Sequence, residues 1–315
     1  MKTILIINPY SRSGKSAKLS KRIISYLSQK NFSFEVTYLN NFDDAYHLSR
    51  KANIESYDNI VAVGGDGTIN KVLNGFFDEN GNRISNARFG VIYTGTSPDF
   101  CKSYNIPTNI IKASDIIINP KTIQIPIGKI TYQITNAESS FYSKSETRYF
   151  ACCANIGLGA SLARKANSGI RAWAGDFGGT LISLLGILIK YRGTDYQISK
   201  DGIEDVYPNV INLSVGITSN IASGIIVYKK PGSGDDKLYV LKASNVRFSN
   251  VFKLLKLAYS GKEFENKDYL SVDYCKEILI DYNNEHPEVE FDGDPAGFLP
   301  CTIELAKDKL SILTA

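Results

Sequence analysis

The chain has 315 residues, and its 36 lysines and arginines against 32 aspartates and glutamates give a formal net charge of +4. This bias is too weak to argue for a nucleic-acid partner, and two histidines leave few ligands for a histidine-based metal site. The five cysteines contain no CxxC pair, which excludes a zinc ribbon and favours the reducing cytoplasm. The longest apolar stretch, 180–189, is half the ~20 residues that a membrane-spanning helix needs. Membrane contact is therefore expected to be peripheral, at the inner membrane face.

The first part of the chain alternates buried strands with amphipathic helices. The predicted strands are Thr3–Ile7, Ser33–Leu39, Asn59–Val63 and Phe89–Tyr93, and the predicted helices are Ser16–Gln29, Asp43–Ala52 and Thr68–Phe77. This alternation predicts an open parallel α/β domain over residues 1–120. Because ligands bind at the carboxyl ends of strands in such sheets, the loops that begin at Asn8, Gly64 and Thr94 are expected at one binding edge.

After Pro120 the pattern changes to short alternating segments, which predict a larger, mostly antiparallel β domain over residues 121–302. The segments are Thr122–Ile127, Lys129–Thr135, Arg148–Ile156, Val210–Ile217, Lys237–Leu241, Ile278–Tyr282 and Val289–Phe291, with helices over Ala174–Tyr191 and Val246–Tyr259. The stretch 178–192 is apolar on nearly every face, as in a buried helix, and the sharper hypothesis is that it lines a lipid cleft. Exposed strand edges in this domain offer a surface for a homodimer.

The sharpest local signal is the glycine-rich turn after the third predicted strand. Consecutive glycines at Gly64, Gly65 and Gly67 let the backbone approach a ligand closely and take positive φ angles. A helix that begins near Thr68 offers free amides to a phosphate, and the Asp66 carboxylate suits a Mg²⁺ ion that bridges to phosphate oxygens. A plain turn with Asp66 as the helix N-cap explains the same residues. The spacing alone leaves both interpretations open.

The loop Asn8–Ser16 follows the first strand and ends in Gly-Lys-Ser like a phosphate-binding P-loop. Pro9 occupies the position of the earlier glycine, so the P-loop pattern fails. A small polar loop with Lys15 beside it can still bind phosphate through its amides, and an ordinary connection is the alternative. The dinucleotide fingerprint also fails, because Asn70 stands where its third glycine belongs.

The third strand-end loop, Tyr93–Phe100, is rich in hydroxyl groups. Thr94, Thr96 and Ser97 supply hydroxyl donors, and Asp99 supplies a second carboxylate. By itself the segment is merely a turn. Next to the glycine-rich turn on the same sheet edge, it becomes a second wall of a nucleotide site.

These loops, in this order, resemble the catalytic domain of the diacylglycerol kinase and sphingosine kinase superfamily, and most of all the bacterial soluble lipid kinases. The stretch Val63–Gly75, VGGDGTINKVLNG, follows the family's phosphate-loop signature, although NAD kinases share its GGDGT core. Three later segments also look like family motifs: Ala154–Ala163, Pro231–Leu241 and Phe291–Asp294. The resemblance therefore spans nearly the whole chain.

The resemblance implies an N-terminal NAD-kinase-like α/β domain, a β-rich acceptor domain, and a return of residues 303–315 to the first domain. ATP would be held by Asn8, Pro9, Ser11, Ser13, Gly64, Gly65, Asp66, Gly67, Thr68, Thr94, Gly95, Thr96 and Asp99, of which Asp66 and Asp99 would support the catalytic Mg²⁺. A second Mg²⁺ would be held by Asp236 with the backbone carbonyls of Ser233 and Leu238. The general base of the family matches Asp294.

The implied activity is an ATP-dependent lipid kinase of phospholipid biosynthesis, which transfers the γ-phosphate to the hydroxyl of a diacylglycerol-like acceptor. Two alternatives stay open: a kinase of the same fold that acts on a soluble hydroxyl compound, and a catalytically impaired nucleotide-binding homologue. They depend on departures from the family pattern, because Asp294 replaces the usual glutamate and Pro98 replaces a common asparagine.

Overall fold

The computed structural model describes residues 1–11, 14–96, 98–134, 144–161, 192–221, 225–227, 236–246, 250, 253, 256–257, 260–262, 266–282 and 288–315. The chain divides into two compact units. The first comprises Met1–Ile127, Arg148–Cys152 and Ala306–Ala315, and the second comprises Gly128–Thr147 and Cys153–Leu305. The sequence predicts a domain boundary after residue 120. The next strand, Lys121–Ile125, belongs to the first unit, which continues to Ile127.

The first unit is a mostly parallel sheet between helices, so the predicted α/β class is confirmed. Its elements are β1 Thr3–Ile7, α1 Lys15–Gln29, β2 Glu35–Tyr38, α2 Asp44–Ile54, β3 Asn59–Gly64, α3 Asp66–Asn74, β4 Arg88–Tyr93, α4 Asp99–Ser103, α5 Ile110–Ile118, β5 Lys121–Ile125 and β18 Leu310–Thr314. The strand order is β2-β1-β3-β4-β18-β5. Strands β2, β1, β3, β4 and β18 run parallel, and β5 pairs antiparallel to β18 at the edge.

Strands β1 and β3, in the middle of this sheet, are buried at every position because helices cover both faces. Strands β1 and β3 read as uninterrupted apolar runs, as expected for strands without a solvent face. Alternate side chains enter two separate cores, since successive residues of a strand point to opposite faces. Leu5 packs in the core that also holds Ile23 of α1, and Ile6 packs in the core that also holds Phe76 and Phe89.

The second unit is antiparallel, which confirms the predicted β class of the second half. Its strands are β6 Gly128–Gln133, β7 Ser145–Phe150 (shared with the first unit), β8 Cys153–Gly157, β9 Thr194–Lys200, β10 Ile203–Gly216, β11 Asn220–Ile221, β12 Ile225–Ile226, β13 Leu238–Ser244, β14 Leu270–Cys275, β15 Glu277–Tyr282, β16 Glu288–Phe291 and β17 Asp294–Leu305. The order of the main sheet is β14-β13-β10-β8-β16-β17-β15-β9. Strand β10 also pairs with β9, so the strands from β10 to β9 close on themselves like a barrel.

Several predicted elements differ from the observed ones. The predicted strand Arg148–Ile156 is two strands, β7 and β8, because Tyr149 and Cys152 pack into the core of the first unit. Strand β5 belongs to the first sheet, because it pairs with β18 near the chain terminus. The helix predicted over Ala174–Tyr191, and with it the lipid-cleft hypothesis for 178–192, lies outside the described residues. Most of Val246–Tyr259 lies outside them too, and its described positions 250, 253, 256 and 257 are helical.

In the part of the chain that the structure describes, no helix combines the length and apolar character that crossing a bilayer requires.

Candidate functional site

The three loops that follow β1, β3 and β4 leave the sheet side by side. The Asn8 amide donates to the Val63 carbonyl at 2.9 Å, and the Thr94 amide donates to the Gly64 carbonyl at 2.8 Å. These bonds continue the parallel ladders by one step beyond the strands. The polar side chains after each strand therefore start at one level on the carboxyl edge of the sheet, where ligands bind in α/β folds.

Buried side-chain hydrogen bonds fasten the loops to one another. Asn8 donates from Nδ2 to Thr68 Oγ1 at 2.9 Å, which links the first loop to α3. The hydroxyls of Ser16 and Thr94 lie 2.8 Å apart, which links the start of α1 to the third loop. Each bond joins residues at least 60 positions apart in sequence. The loops are thus fixed relative to one another rather than only adjacent in topology.

The glycines let the backbones of two loops and the Ser11 side chain meet. A Cβ atom built on Gly65 would lie 3.3 Å from the Gly95 Cα and 3.4 Å from the Ser11 Oγ. A Cβ atom on Gly64 would lie 2.5 Å from the Thr68 Cβ, inside contact distance. The expectation of positive φ angles at this turn is wrong: Gly65 has φ −91°, and Gly64 and Gly67 are not among the positive-φ residues. Close packing, and not a left-handed backbone, explains Gly64 and Gly65 at this turn.

Helix α3 begins in the middle of this cluster, and Asp66 is its first residue. The N-cap position belongs to Gly65, which makes no side-chain capping bond, so the alternative of Asp66 as N-cap is wrong. The amides of the first helical turn have no acceptor within the helix, and they carry the positive end of its dipole. The Asp66 carboxylate accepts a hydrogen bond from the Tyr93 hydroxyl at 2.9 Å. An anion-binding backbone and a fixed carboxylate thus lie together.

Electrostatics mark Asp66 as a source of negative charge at this edge. Burial, with a contribution from the Asp66 charge, raises the pKa of the Cys101 thiol to about 12. The negative charge of Asp66 therefore acts on the central residue of α4. The sequence analysis gave no role to the Tyr93 hydroxyl, although Tyr93 begins the third predicted site loop and is the last residue of its strand.

The remaining predicted nucleotide-site residues have different environments. Pro9 and Ser11 are partly buried in the first loop, and Thr96 is exposed in the third. Asp99 is the first residue of α4. Ser13 lies outside the described residues.

The predicted base and metal ligands belong to the second unit. Asp294 is the first residue of β17, directly after a turn in which Asp292 has φ 49° and Gly293 has φ 86°. Two consecutive positive φ angles are typical of a type I′ hairpin turn. Asp236 is exposed and Leu238 is buried in β13, and Ser233 lies outside the described residues.

The donor set at Asp66 fits a magnesium ion that is bound together with phosphate. Among the described residues, no three histidine, cysteine, aspartate or glutamate side chains form a metal-binding group. Magnesium in nucleotide sites typically uses one or two carboxylates, water and the substrate phosphates instead of an all-protein cage. The carboxylate of Asp66, held at the start of α3, matches that requirement.

Comparisons with known proteins identify the class of this site. Residues 2–130 match the family described as the diacylglycerol kinase catalytic domain. The chain is 22% identical over 310 residues to a diacylglycerol kinase of Staphylococcus carnosus, covering 98% of this chain and 94% of the relative. It is 26% identical over 301 residues to a diacylglycerol kinase of Bacillus subtilis, covering 94% and 90%.

A solved structure has the same fold. The crystal structure of a diacylglycerol kinase from Bacillus anthracis superposes with a TM-score of 0.67 at 20% identity, covering 100% of this chain and 97% of that one. The residues that match the kinase family model, 2–130, lie mostly in the first unit, and the relatives are named as kinases, which supports a kinase. The resemblance of the sequence to the diacylglycerol kinase superfamily is confirmed by the family match over residues 2–130 and by the curated relatives.

Proposed function

We propose that this kinase transfers the γ-phosphate of ATP to the hydroxyl of a lipid, with a diacylglycerol-like acceptor. The observation that carries the proposal is the contact of the three loops around Gly65, directly before the N-terminus of α3. A backbone without Cβ atoms and a helix N-terminus together favour a chain of phosphates. The names of the relatives support a lipid acceptor.

The phosphates would lie against the amides of Gly65 and of the first turn of α3. Ser11 offers its hydroxyl from the first loop, and Thr96 offers an exposed hydroxyl from the third. The buried groups of Asn8, Thr68 and Thr94 would act differently, since they bond to one another or to Ser16 and keep the loops in place.

Asp66 would hold Mg²⁺, with Asp99 as a second carboxylate at the same edge. A bound magnesium ion neutralises charge on the phosphoryl oxygens. The hydrogen bond from the Tyr93 hydroxyl to one Asp66 oxygen fixes the orientation of the whole carboxylate. A second Mg²⁺ at Asp236, Leu238 and Ser233 is part of the proposal as a structural site in the second unit.

Asp294 would accept the proton of the acceptor hydroxyl. A carboxylate base must reach the reacting hydroxyl within hydrogen-bonding distance. Asp294 is suited to this role because it is partly exposed and follows a tight turn that leaves it little freedom. Phosphoryl transfer mainly requires such positioning and the neutralisation of charge on the phosphoryl group.

The biological setting follows from the proposed acceptor. A kinase of diacylglycerol would act in phospholipid biosynthesis, in the cytoplasm and in peripheral contact with the inner membrane face. A homodimer through strand edges of the second unit belongs to the same proposal.

Transfer assays with three kinds of acceptor test the function. Radiolabelled ATP with Mg²⁺ is supplied with diacylglycerol in mixed micelles, with soluble hydroxyl compounds including NAD, or with no acceptor. Label in the lipid supports the proposal. Label only in a soluble acceptor favours a kinase of the same fold with another substrate, and ATP binding without transfer favours an impaired homologue.

A pair of aspartate variants tests the site itself. Asp66→Asn is expected to abolish transfer and to leave folding intact, because it removes the charge that holds Mg²⁺ and keeps the shape of the side chain. Asp58→Asn is the matched control, since Asp58 is exposed just before β3, at the opposite end of the strand. Near-normal turnover of Asp66→Asn would contradict the assigned role.

A further inference from the structure

A row of buried polar side chains crosses the middle of the second unit. Ser214 of β10 pairs directly with Asn155 of β8, and Asn155 pairs directly with Glu290 of β16. The three residues are only 2%, 9% and 4% exposed. The Ser214 hydroxyl donates to Asn155 Oδ1, and Asn155 Nδ2 donates to Glu290 Oε1. The row therefore ends on one oxygen of a buried carboxyl group.

The other oxygen of that carboxyl group holds the turn that precedes Asp294. The Gly293 amide donates to Glu290 Oε2 at 2.9 Å. The neighbouring residue of the turn is held as well, because the Asp292 amide donates to the Cys153 carbonyl at 3.0 Å. The two central residues of the turn are thus bonded to Glu290 of the hairpin's own strand β16 and to Cys153 of the neighbouring strand β8.

The hairpin needs such an anchor at this position. Its ladder shifts register between Val289 and Glu290, so that one extra residue of β17 lies between Pro295 and Gly297. A bulge of this kind interrupts the regular pairing and re-aims the side chains beside it. The position of the turn therefore depends on the hydrogen bond from Gly293 to Glu290 as well as on the pairing of β16 with β17.

Burying a carboxyl group is unfavourable unless it is bonded or neutral. Burial raises the pKa of Glu290, the Asn155 and Gly293 bonds oppose the rise, and the Asp292 and Asp294 carboxylates add to it, so that the resulting pKa is about 8. Near neutral pH the group is therefore largely uncharged and adds little negative charge beside Asp294. An apolar residue would fill the same space without this cost, but it would leave the Gly293 amide without its acceptor.

We infer that Glu290 is a positioning residue for Asp294. Its carboxyl group, oriented by Asn155 and Ser214, fixes the turn at Gly293 and thereby the place of the Asp294 carboxylate. The inference rests on the proposed role of Asp294 as the base, and it adds a residue that does not touch the acceptor.

Two variants of Glu290 separate positioning from packing. Glu290→Met keeps the volume and removes the acceptor of the Gly293 amide, whereas Glu290→Gln keeps an oxygen acceptor. Exposed Glu204, in the same unit, gives the control Glu204→Gln. For each protein, kcat and KM for transfer from ATP to diacylglycerol micelles are measured, together with deuterium exchange of the peptide 288–298.

Glu290→Met is expected to lower kcat by roughly 10-fold or more, because a small misplacement of a reacting group is costly. The KM for ATP should stay at the wild-type value, and exchange at the turn should rise. Glu290→Gln should restore most of kcat and of the protection. Wild-type kcat or wild-type exchange in folded Glu290→Met would overturn the inference, as would an equal loss of kcat in both variants.

Two further outcomes are covered. Should Glu290→Met not fold, Ser214→Ala removes the donor to Asn155 and is expected to raise exchange at the turn; unchanged exchange in this variant overturns the inference. Should the wild type transfer phosphate to no acceptor, the proposed function fails. Exchange at the turn then decides separately whether Glu290 anchors it.

Discussion

The buried carboxyl group of Glu290 makes a quantitative prediction about stability and pH. Its pKa is raised from an ordinary value of 4.5 to about 8 in the folded protein. Between these values the folded protein keeps the proton and the unfolded chain releases it. Stability must therefore fall as pH rises through this window, because the native state binds more protons than the unfolded state. In Glu290→Gln this contribution is absent.

The expected size follows from the two pKa values. Between about pH 5.5 and 7.5 the difference in bound protons averages roughly 0.9, which corresponds to a slope of about 1.2 kcal/mol per pH unit. The free energy of unfolding of Glu290→Gln should therefore rise relative to wild type by roughly 2 kcal/mol over this range. Near pH 5.5 both side chains are neutral, so the difference in stability measured there serves as the reference for the rise.

Urea unfolding followed by circular dichroism at several pH values gives the measurement. The quantity to follow is how the difference in the free energy of unfolding between Glu290→Gln and wild type changes with pH. The other titrating groups are common to both proteins and cancel in this difference. Glu204→Gln, on an exposed carboxyl group of the same unit, is the control variant. A constant offset for Glu290→Gln, or one that shrinks with rising pH, would refute a neutral buried Glu290.

Two substitutions test the first unit. Gly64→Ala places a Cβ atom 2.5 Å from the Thr68 Cβ and should cost about 1–3 kcal/mol of stability, with weaker ATP binding by calorimetry. The control Gly202→Ala has open space but φ 82°, so it should lose stability and keep ATP affinity; equal affinity in both variants would argue against the phosphate site. Tyr93→Phe removes the 2.9 Å bond to Asp66 and should lower kcat by roughly 10-fold, as expected for a hydrogen bond to a charged group. An unchanged dependence on Mg²⁺ concentration in Tyr93→Phe would show that this bond does not orient the carboxylate.

The sequence by itself determined the class of the first unit and the place of its candidate site. Apolar runs such as Thr3–Ile7 indicate burial on both faces, and burial on both faces indicates a parallel sheet with helices around it. Since parallel strands end at one edge, the order of strands and helices along the chain is enough to place the loops at Asn8, Gly64 and Thr94 together. Local patterns carry this information because strand burial and helix periodicity repeat over a few residues.

Tertiary structure alone decided the contacts between residues far apart in sequence. Strand β18 lies between β4 and β5, the Tyr93 hydroxyl donates to Asp66, and the Gly293 amide donates to the buried Glu290. None of these contacts has a signal in the local sequence. A glutamate in a short strand is predicted to be exposed to solvent. Whether it is buried depends on which strands become neighbours and in which register they pair. Register is set by the packing of the whole sheet, since a shift of one residue exchanges the two faces of a strand.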